Sequence, residues 1–461
     1  MSMHYCSPLG KIRTAVIICC FVLILGIFGY AYLLGSNNSV IPKDEIITNL
    51  DTVGEEELDY EYTSSYLKKY GIGNINTYKF NAIEDQLEAD FYKELPPKDE
   101  LAKSVANLFI EYFYDTIDLS DKKQVTDALL KCLFASIGDP YAYYRTEEEF
   151  NEYISSLEGG EDFVGIGVMM NQETLEILMV IPGSGAEEVG IKPRDVIYAV
   201  DGKTLSDLPK DDFLNLMKGE ENTTVSVTVQ RGDELIDFTI TRKRLEERNV
   251  YYEITDEKIG VIQITQFVQT TANQFKQAVD YCTENGAVAL IIDVRYNPGG
   301  LVNSAIAVID YLTPDEENRV IASYVSSDGE YTYYTTDGHS VDLPIAILCN
   351  EHTASAAELF TAAMRDFGDA GLLNTITVGT TTYGKGVLQN SYMLYDNSGI
   401  TYTIAYMDMP LSVNYDGVGI IPDFEVEETE LTDAPLTKAV EEVTKLVNTN
   451  GNVGINNGAA A

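Results

Sequence analysis

Two uninterrupted apolar runs, Ala287 to Ile292 and Pro344 to Cys349, constrain this chain more than anything else in it. Neither alternates with polar residues, so a strand made from either is buried on both faces, as in parallel sheets covered by helices. Each run ends in a turn and passes into a helical stretch. The first gives Asp293-Val294-Arg295-Tyr296-Asn297-Pro298-Gly299-Gly300-Leu301 and then Ala305 to Leu312; the second gives Asn350 to Ser355 and then Ala356 to Met364. With a further helix near Leu436 to Val447, an α/β core over residues 247–447 is expected.

Ser355 thus falls at a strand-to-helix turn, where a hydroxyl is exposed and the helix N-terminus offers unpaired N–H groups to a developing oxyanion. Further on, Lys385 lies in Tyr383-Gly384-Lys385-Gly386, with Gln389 four positions later. A lysine deprotonates a serine only when neutral, which requires burial away from carboxylates. Moving its pKa from about 10.4 to about 7.5 costs roughly 4 kcal/mol. No acidic residue lies between Gly371 and Asn390, and Gln389 can accept from the ammonium without adding charge. The arrangement reads as a serine nucleophile, a lysine base and an orienting amide. The Ala356 N–H and the Gly299-Gly300 turn are the expected oxyanion donors, with no choice between the two glycines. Taken alone, the same residues read more readily as an N-cap serine and a solvated turn lysine, which is the usual fate of such residues.

At 461 residues the chain is too long for one core, and its formal charge of −42 argues against nucleic acid as a partner. Residues 14–34 carry no charge and are long enough to cross a bilayer as a helix. Lys11 and Arg13 precede them, which places residues 1–13 in the cytoplasm and the rest outside. A cleaved signal peptide is the rival, against which the length of the stretch and the lack of an A-x-A site speak. Residues 35–79, acidic from Asp44 to Glu61, are expected to form a stalk or linker. Beyond the anchor, Cys132, Cys282 and Cys349 are an odd, scattered set with neither disulfide nor metal spacing, so buried thiols are expected. Of the three histidines, His4, His339 and His352, only His352 lies near Ser355, and no acidic partner for a histidine triad is evident.

Helical spacing of Leu101, Val105, Leu108, Phe109 and Tyr112, and of Leu129, Leu130 and Leu133, predicts a small helical region over 80–158. Residues 159–246 change to short β-like runs around two helical segments. They contain Phe163-Val164-Gly165-Ile166-Gly167-Val168, Pro182-Gly183-Ser184-Gly185-Ala186 and Gly190-Ile191-Lys192-Pro193-Arg194-Asp195. This order resembles a permuted PDZ domain of bacterial proteases. The resemblance implies capture of a peptide's terminal carboxylate by Val164, Gly165, Ile166 and Gly167, with the peptide added as a strand. Gly183-Ser184-Gly185-Ala186, where the family usually has Ser-Pro-Ala, and Arg194, where Gly or Asn is commoner, leave the ligand preference open. The Asn/Gly/Ala-rich tail, 448–461, is expected to be flexible.

Four pieces, Asp293 to Leu301, Thr353 to Glu358, Tyr383 to Gln389 and Gly417 to Asp423, converge with the PDZ-like segment and Gly138-Asp139-Pro140-Tyr141. Together they resemble the carboxyl-terminal processing peptidases, the tail-specific serine proteases. The resemblance implies an α/β multidomain chain whose core is of the ClpP/crotonase-like type, with Ser355 as nucleophile, Lys385 as base and Gln389 as its support. Thr353 and Ala357 replace two serines of the family's run, and Gly371-Leu372-Leu373-Asn374-Thr375 lengthens the serine-to-lysine interval, which a surface loop can absorb. The resemblance implies an endopeptidase acting on protein or peptide C-termini, which residues 14–34 would anchor in the membrane with its catalytic regions outside the cytoplasm; no cofactor and no metal are expected, and a homo-oligomer is compatible with it. The alternatives are a non-catalytic PDZ scaffold with a degenerate protease domain, and crotonase-like acyl chemistry.

Overall fold

The computed structural model describes residues 62–456 except 160–162, 171–173, 182, 193–194, 209, 233, 246–247, 314–318, 328, 337–340, 410 and 428–432. Residues 1–34, most of the expected stalk and the end of the tail lie outside the described residues. Among those described, no helix is long and apolar enough to cross a membrane.

The apolar spacing of the first region produces α1 (Thr63–Leu67), α2 (Thr77–Asp90), α3 (Lys98–Tyr112), α4 (Lys122–Ser136), a short strand β1 (Tyr143–Arg145) and α5 (Glu147–Glu158). Thr146 begins α5 with a reciprocal cap, its hydroxyl taking the Glu149 N–H while Glu149 accepts from Thr146. Leu101, Val105 and Phe109 meet Leu129, Leu130 and Leu133 with Phe80, Ile83 and Leu87 in one core. Here one expectation is corrected. Residues 63–79 are not stalk, because Leu67, Ile72 and Ile75 are buried in that core and Glu84 accepts from the Thr63 N–H (3.0 Å) and hydroxyl (2.9 Å). The acidic composition just before them masked three apolar residues that the neighbouring helices cover.

The second region holds β2 (Phe163–Gly165), β3 (Val168–Met170), β4 (Ile177–Val180), α6 (Gly185–Val189), β5 (Val196–Val200), α7 (Lys210–Asn215), β6 (Thr224–Arg231), β7 (Glu234–Thr241) and β8 (Lys243–Leu245). The expected strands and two helices are present, around a core of Ile166, Ile177, Val200, Phe213 and Val227.

The third region runs β9 (Val250–Ile254), β10 (Ile259–Ile264), α8 (Thr271–Glu284), β11 (Ala289–Asp293), α9 (Val302–Leu312), β12 (Val320–Val325), β13 (Tyr331–Thr335), β14 (Ile345–Cys349), α10 (Ala356–Asp369), β15 (Thr375–Gly379), β16 (Val387–Met393), β17 (Gly399–Asp408), β18 (Phe424–Glu425) and α11 (Ala434–Asn456). One sheet has the order β18-β15-β14-β11-β10-β9, parallel except for β9. Alternate residues serve opposite faces: Ile262, Ile292 and Ile347 pack with Val279, Ile309 and Phe360 of α8, α9 and α10, while Val261, Ile291 and Leu348 meet Leu436, Ala439 and Val443 of α11. The two apolar runs feed the central strands β11 and β14, whose residues are all buried, while Val288 just before β11 is exposed. Helix α11 continues past the expected Val447 to Asn456, so only 457–461 of the expected tail lie beyond it, outside the described residues.

A second, antiparallel sheet orders β1-β17-β12-β13, with β16 on the other edge of β17. Tyr143 pairs with Thr401 and Arg145 with Gly399, and Ile400 and Tyr402 enter the core of the helical region. The helical region is therefore stitched to the α/β core by a shared sheet and a shared core. Cys132, Cys282 and Cys349 are buried free thiols, as expected, and burial pushes their pKa values up to about 12, about 11 and about 12.

Candidate active site

Strands β11, β14 and β15 are neighbours and parallel, so the loops leaving their carboxyl ends share one rim of the sheet. These loops are Val294 to Leu301, Asn350 to Ser355, and Thr380 to Gly386, which is how three segments far apart in the chain meet. The middle loop is pinned from below. Thr353 is fully buried, donates to the Val294 carbonyl (2.9 Å) and accepts from the Asn350 N–H (2.9 Å). Its hydroxyl is thereby committed to structure, and Ser355 is left half-exposed just above it.

Ser355 has φ 54° and ψ −121°, a backbone conformation that costs a residue with a side chain about 1–3 kcal/mol and persists only where its surroundings enforce it. The enforcement comes from Glu358 in the first turn of α10. Its buried carboxylate accepts from the Ser355 N–H (2.9 Å), the Thr382 hydroxyl (2.6 Å), the Gly384 N–H (2.6 Å) and the Lys385 N–H (2.7 Å). Burial pushes the Glu358 carboxyl above its ordinary value, and these four donors pull in the opposite direction. One side chain thus ties the serine turn to the lysine loop.

Lys385 Nζ donates to Gln389 Oε1 at 2.6 Å and lies 4.3 Å from the centre of the Tyr141 ring. Gln389 in turn donates to the Tyr141 carbonyl. Tyr141 is held by Asp139, which accepts from the Tyr141 N–H (3.0 Å) and the Thr403 N–H (3.0 Å). Part of the lysine's cover therefore comes from the helical region. Burial lowers the Lys385 pKa to about 8, against the raising influence of Asp139 and Glu358. The expectation that this lysine sits away from carboxylates is corrected by those two residues: both are far from it in sequence, and folding brings them close.

The glycine turn resolves into two roles. Gly299 has φ 101°, and a Cβ there would stand 2.8 Å from Ser355 Cβ and 2.9 Å from the Ala356 N. Its own N–H is already given to Asn297 Oδ1 (2.8 Å). Gly300 has φ 133°, and its Cβ would run into the Phe267 carbonyl. Phe267 donates to the Gly299 carbonyl (2.9 Å) and accepts from Leu301 (2.7 Å), which skips Gly300. Among the described residues, no acceptor takes the N–H of Gly300 or of Ala356, the first residue of α10.

His352 stacks on Tyr296 with ring centres 5.3 Å apart, and its Nε2 is 3.7 Å from Glu351. His339 lies outside the described residues. Val164 to Gly167 form the β2 strand end and the turn into β3, where the Ile166 carbonyl accepts from Ala186 (2.9 Å) and that of Gly167 from Ile181 (2.9 Å). Sequence reasoning singled out Ser355, Lys385, Gln389 and Ala356 but assigned no role to Glu358. Its signal was its place three residues after a turn serine, where a carboxylate reaches back to the helix start.

Residues 258–426 match the model of peptidase family S41, and residues 176–231 match a PDZ domain. A "Probable CtpA-like serine protease" of Staphylococcus haemolyticus is 33% identical over 326 residues, covering 69% of this chain and 64% of that protein. One of the same description from Staphylococcus aureus is 34% identical over 314 residues, covering 66% and 62%. The chain spans a little under two thirds of the length of these relatives. A solved structure from Bacteroides fragilis assigned to the S41 proteases aligns over 79% of this chain and 97% of its own with a TM-score of 0.53 at 17% identity, a likeness of fold. The chain thus carries a segment similar to peptidase family S41 and a segment similar to PDZ domains, in an order that makes it similar to CtpA-like serine proteases.

Proposed function

We propose that this chain is a membrane-anchored serine endopeptidase that captures the C-terminal tails of protein substrates on its PDZ domain and cleaves them with Ser355 and Lys385. The observation that carries the reading is the state of Lys385: an ammonium on a neutral amide acceptor, covered by Tyr141, with a pKa of about 8. At neutral pH a useful fraction of such a lysine is unprotonated, and its loop is tied through Glu358 to the turn that carries Ser355.

In this reading neutral Lys385 takes the Ser355 proton as Oγ attacks the scissile carbonyl, and Gln389 holds the ammonium that forms. The N–H groups of Gly300 and Ala356 stabilise the oxyanion. Collapse of the tetrahedral intermediate returns the proton to the leaving amine, and water hydrolyses the acyl-enzyme by the same route. The substrate tail adds to β3, which among the described residues pairs only with β4, and its carboxylate meets the N–H groups of the Val164 to Gly167 turn. Residues 14–34 anchor the chain with the catalytic regions outside the cytoplasm.

Turnover of fluorescein-labelled casein by the full chain tests the reading. Ser355→Ala and Lys385→Ala are each expected to abolish it. Undiminished turnover by Ser355→Ala would refute the assignment and favour the non-catalytic scaffold, with casein cleaved by another enzyme.

A further inference from the structure

Arg145 stands out in a chain with a formal charge of −42. It ends β1, and its guanidinium lies 5.0 Å from the Tyr143 ring centre and 4.2 Å from that of Tyr153. Its guanidinium donates to a hydroxyl, Thr401 Oγ1, at 2.9 Å. Among the described residues no carboxylate comes within ion-pair distance of it. Glu149, an acid whose charge acts on it, is drawn to Lys131 (2.6 Å) and to the Thr146 N–H (2.9 Å). A half-buried cation stacked on aromatic faces and left without a counter-ion exerts its charge on whatever else is near.

What is near is the lysine's supporting row. Thr401 Oγ1 also contacts Ser391 Oγ (2.9 Å), which contacts the Tyr153 hydroxyl (3.2 Å). Ser391 and Gln389 are alternate residues of β16 and lie on one face of it. We propose that Arg145 is a positioning residue for Lys385, a fixed positive charge clamped by Tyr143, Tyr153 and Thr401 behind the Gln389 row that disfavours a second positive charge on the lysine. The inference rests on the proposed role of Lys385 as base.

The other groups facing Lys385 act differently. Asp139 and Glu358 favour its protonation, Gln389 is neutral, and the Tyr141 ring favours a cation. Tyr415 is buried with its hydroxyl pKa raised well above the ordinary value, and Asp416 is engaged by the Gly386 N–H (3.1 Å). Among the charges that act on Lys385, Arg145 is the one that lowers its pKa.

The test is the titration midpoint of Lys385, read by competitive acetylation with mass spectrometry on the full chain, alongside the pH profile of kcat/KM for fluorescein-labelled casein. Arg145→Gln is expected to raise the midpoint and the acid limb together by about half a unit to one unit, which is about three- to tenfold less turnover at pH 7. Arg145→Lys restores most of both. Tyr153→Leu keeps the charge but frees it, and is expected to give a smaller rise in the same direction. An unmoved midpoint in folded Arg145→Gln, or equal effects of Arg145→Gln and Arg145→Lys, overturns the proposal, the latter by showing a packing role. Failure of the peptidase reading looks different: the wild-type chain leaves casein uncut while the Lys385 midpoint still responds to Arg145.

Discussion

One oxygen of Glu358, Oε2, accepts from both the Ser355 N–H at 2.9 Å and the Lys385 N–H at 2.7 Å. That buried atom bridges the serine turn and the lysine loop directly, beside the Thr353 carbonyl, which accepts from the Tyr383 N–H at 3.0 Å. Glu358→Gln turns one of the two acceptor oxygens into an NH₂ group facing N–H donors, at a cost of about 1–3 kcal/mol for each donor left unsatisfied. The expected outcome is a kcat reduced by about ten- to a hundredfold with KM little changed, because geometry and not substrate contact is lost. Steady-state kinetics with thermal unfolding checks it.

The Lys385 pKa of about 8 sets a pH dependence. The base must be neutral, so kcat/KM rises with pH, with its acid limb centred near pH 8 and a plateau above. The same shift bears on stability with a definite sign. The folded pKa is depressed below the ordinary lysine value of 10.5, so between about 8 and 10.5 the unfolded chain binds more protons and stability rises with pH. Below about pH 8 the full cost, about 3 kcal/mol, is present. Lys385→Met is thus expected to abolish turnover yet stabilise the fold at pH 7, with the gain shrinking as pH approaches 10.5. Denaturant unfolding at several pH values measures this.

Gln389 is the neutral acceptor for the lysine (2.6 Å). Gln389→Ala leaves the ammonium unsupported and is expected to lower kcat by about ten- to a hundredfold. Gln389→Glu supplies a carboxylate instead, which raises the lysine pKa and moves the acid limb of the pH profile upward. Full activity of the alanine variant would remove Gln389 from the site.

The tail-binding role proposed for the Val164 to Gly167 turn predicts a strict need for a free terminus. A peptide ending in a free carboxylate is expected to bind the Ser355→Ala chain at least about tenfold more tightly than its C-terminal amide, because the loop N–H groups lose a charged acceptor. Calorimetry with the two peptides decides it.

Much of this was legible in the sequence, for identifiable reasons. The apolar runs that became β11 and β14 admit no other placement than the centre of a covered sheet, and each hands its chain to a turn at the same rim. Ser355, Ala356, Lys385 and Gln389 stand out only when the family resemblance is added to a local context that by itself reads as an N-cap serine and a turn lysine. What escaped depends on contacts across the chain. Tyr141 meets Gln389 only because β1 joins the edge of β17, and no periodicity in a three-residue strand announces that pairing. Glu358 looks like an ordinary first-turn acid of a helix, and its bonds to Thr382, Gly384 and Lys385 depend on β14 and β15 being neighbours. Likewise the choice between Gly299 and Gly300 needed the Asn297 side chain, which occupies one N–H and leaves the other.

The central claim is that Ser355 is the nucleophile of a peptidase acting on protein tails. Its most direct test is a mass-spectrometric comparison of protein C-termini in cells carrying the wild-type chain or Ser355→Ala. The account predicts a set of new C-termini present with the wild type and absent with the variant. The same termini at the same abundance in both would contradict it.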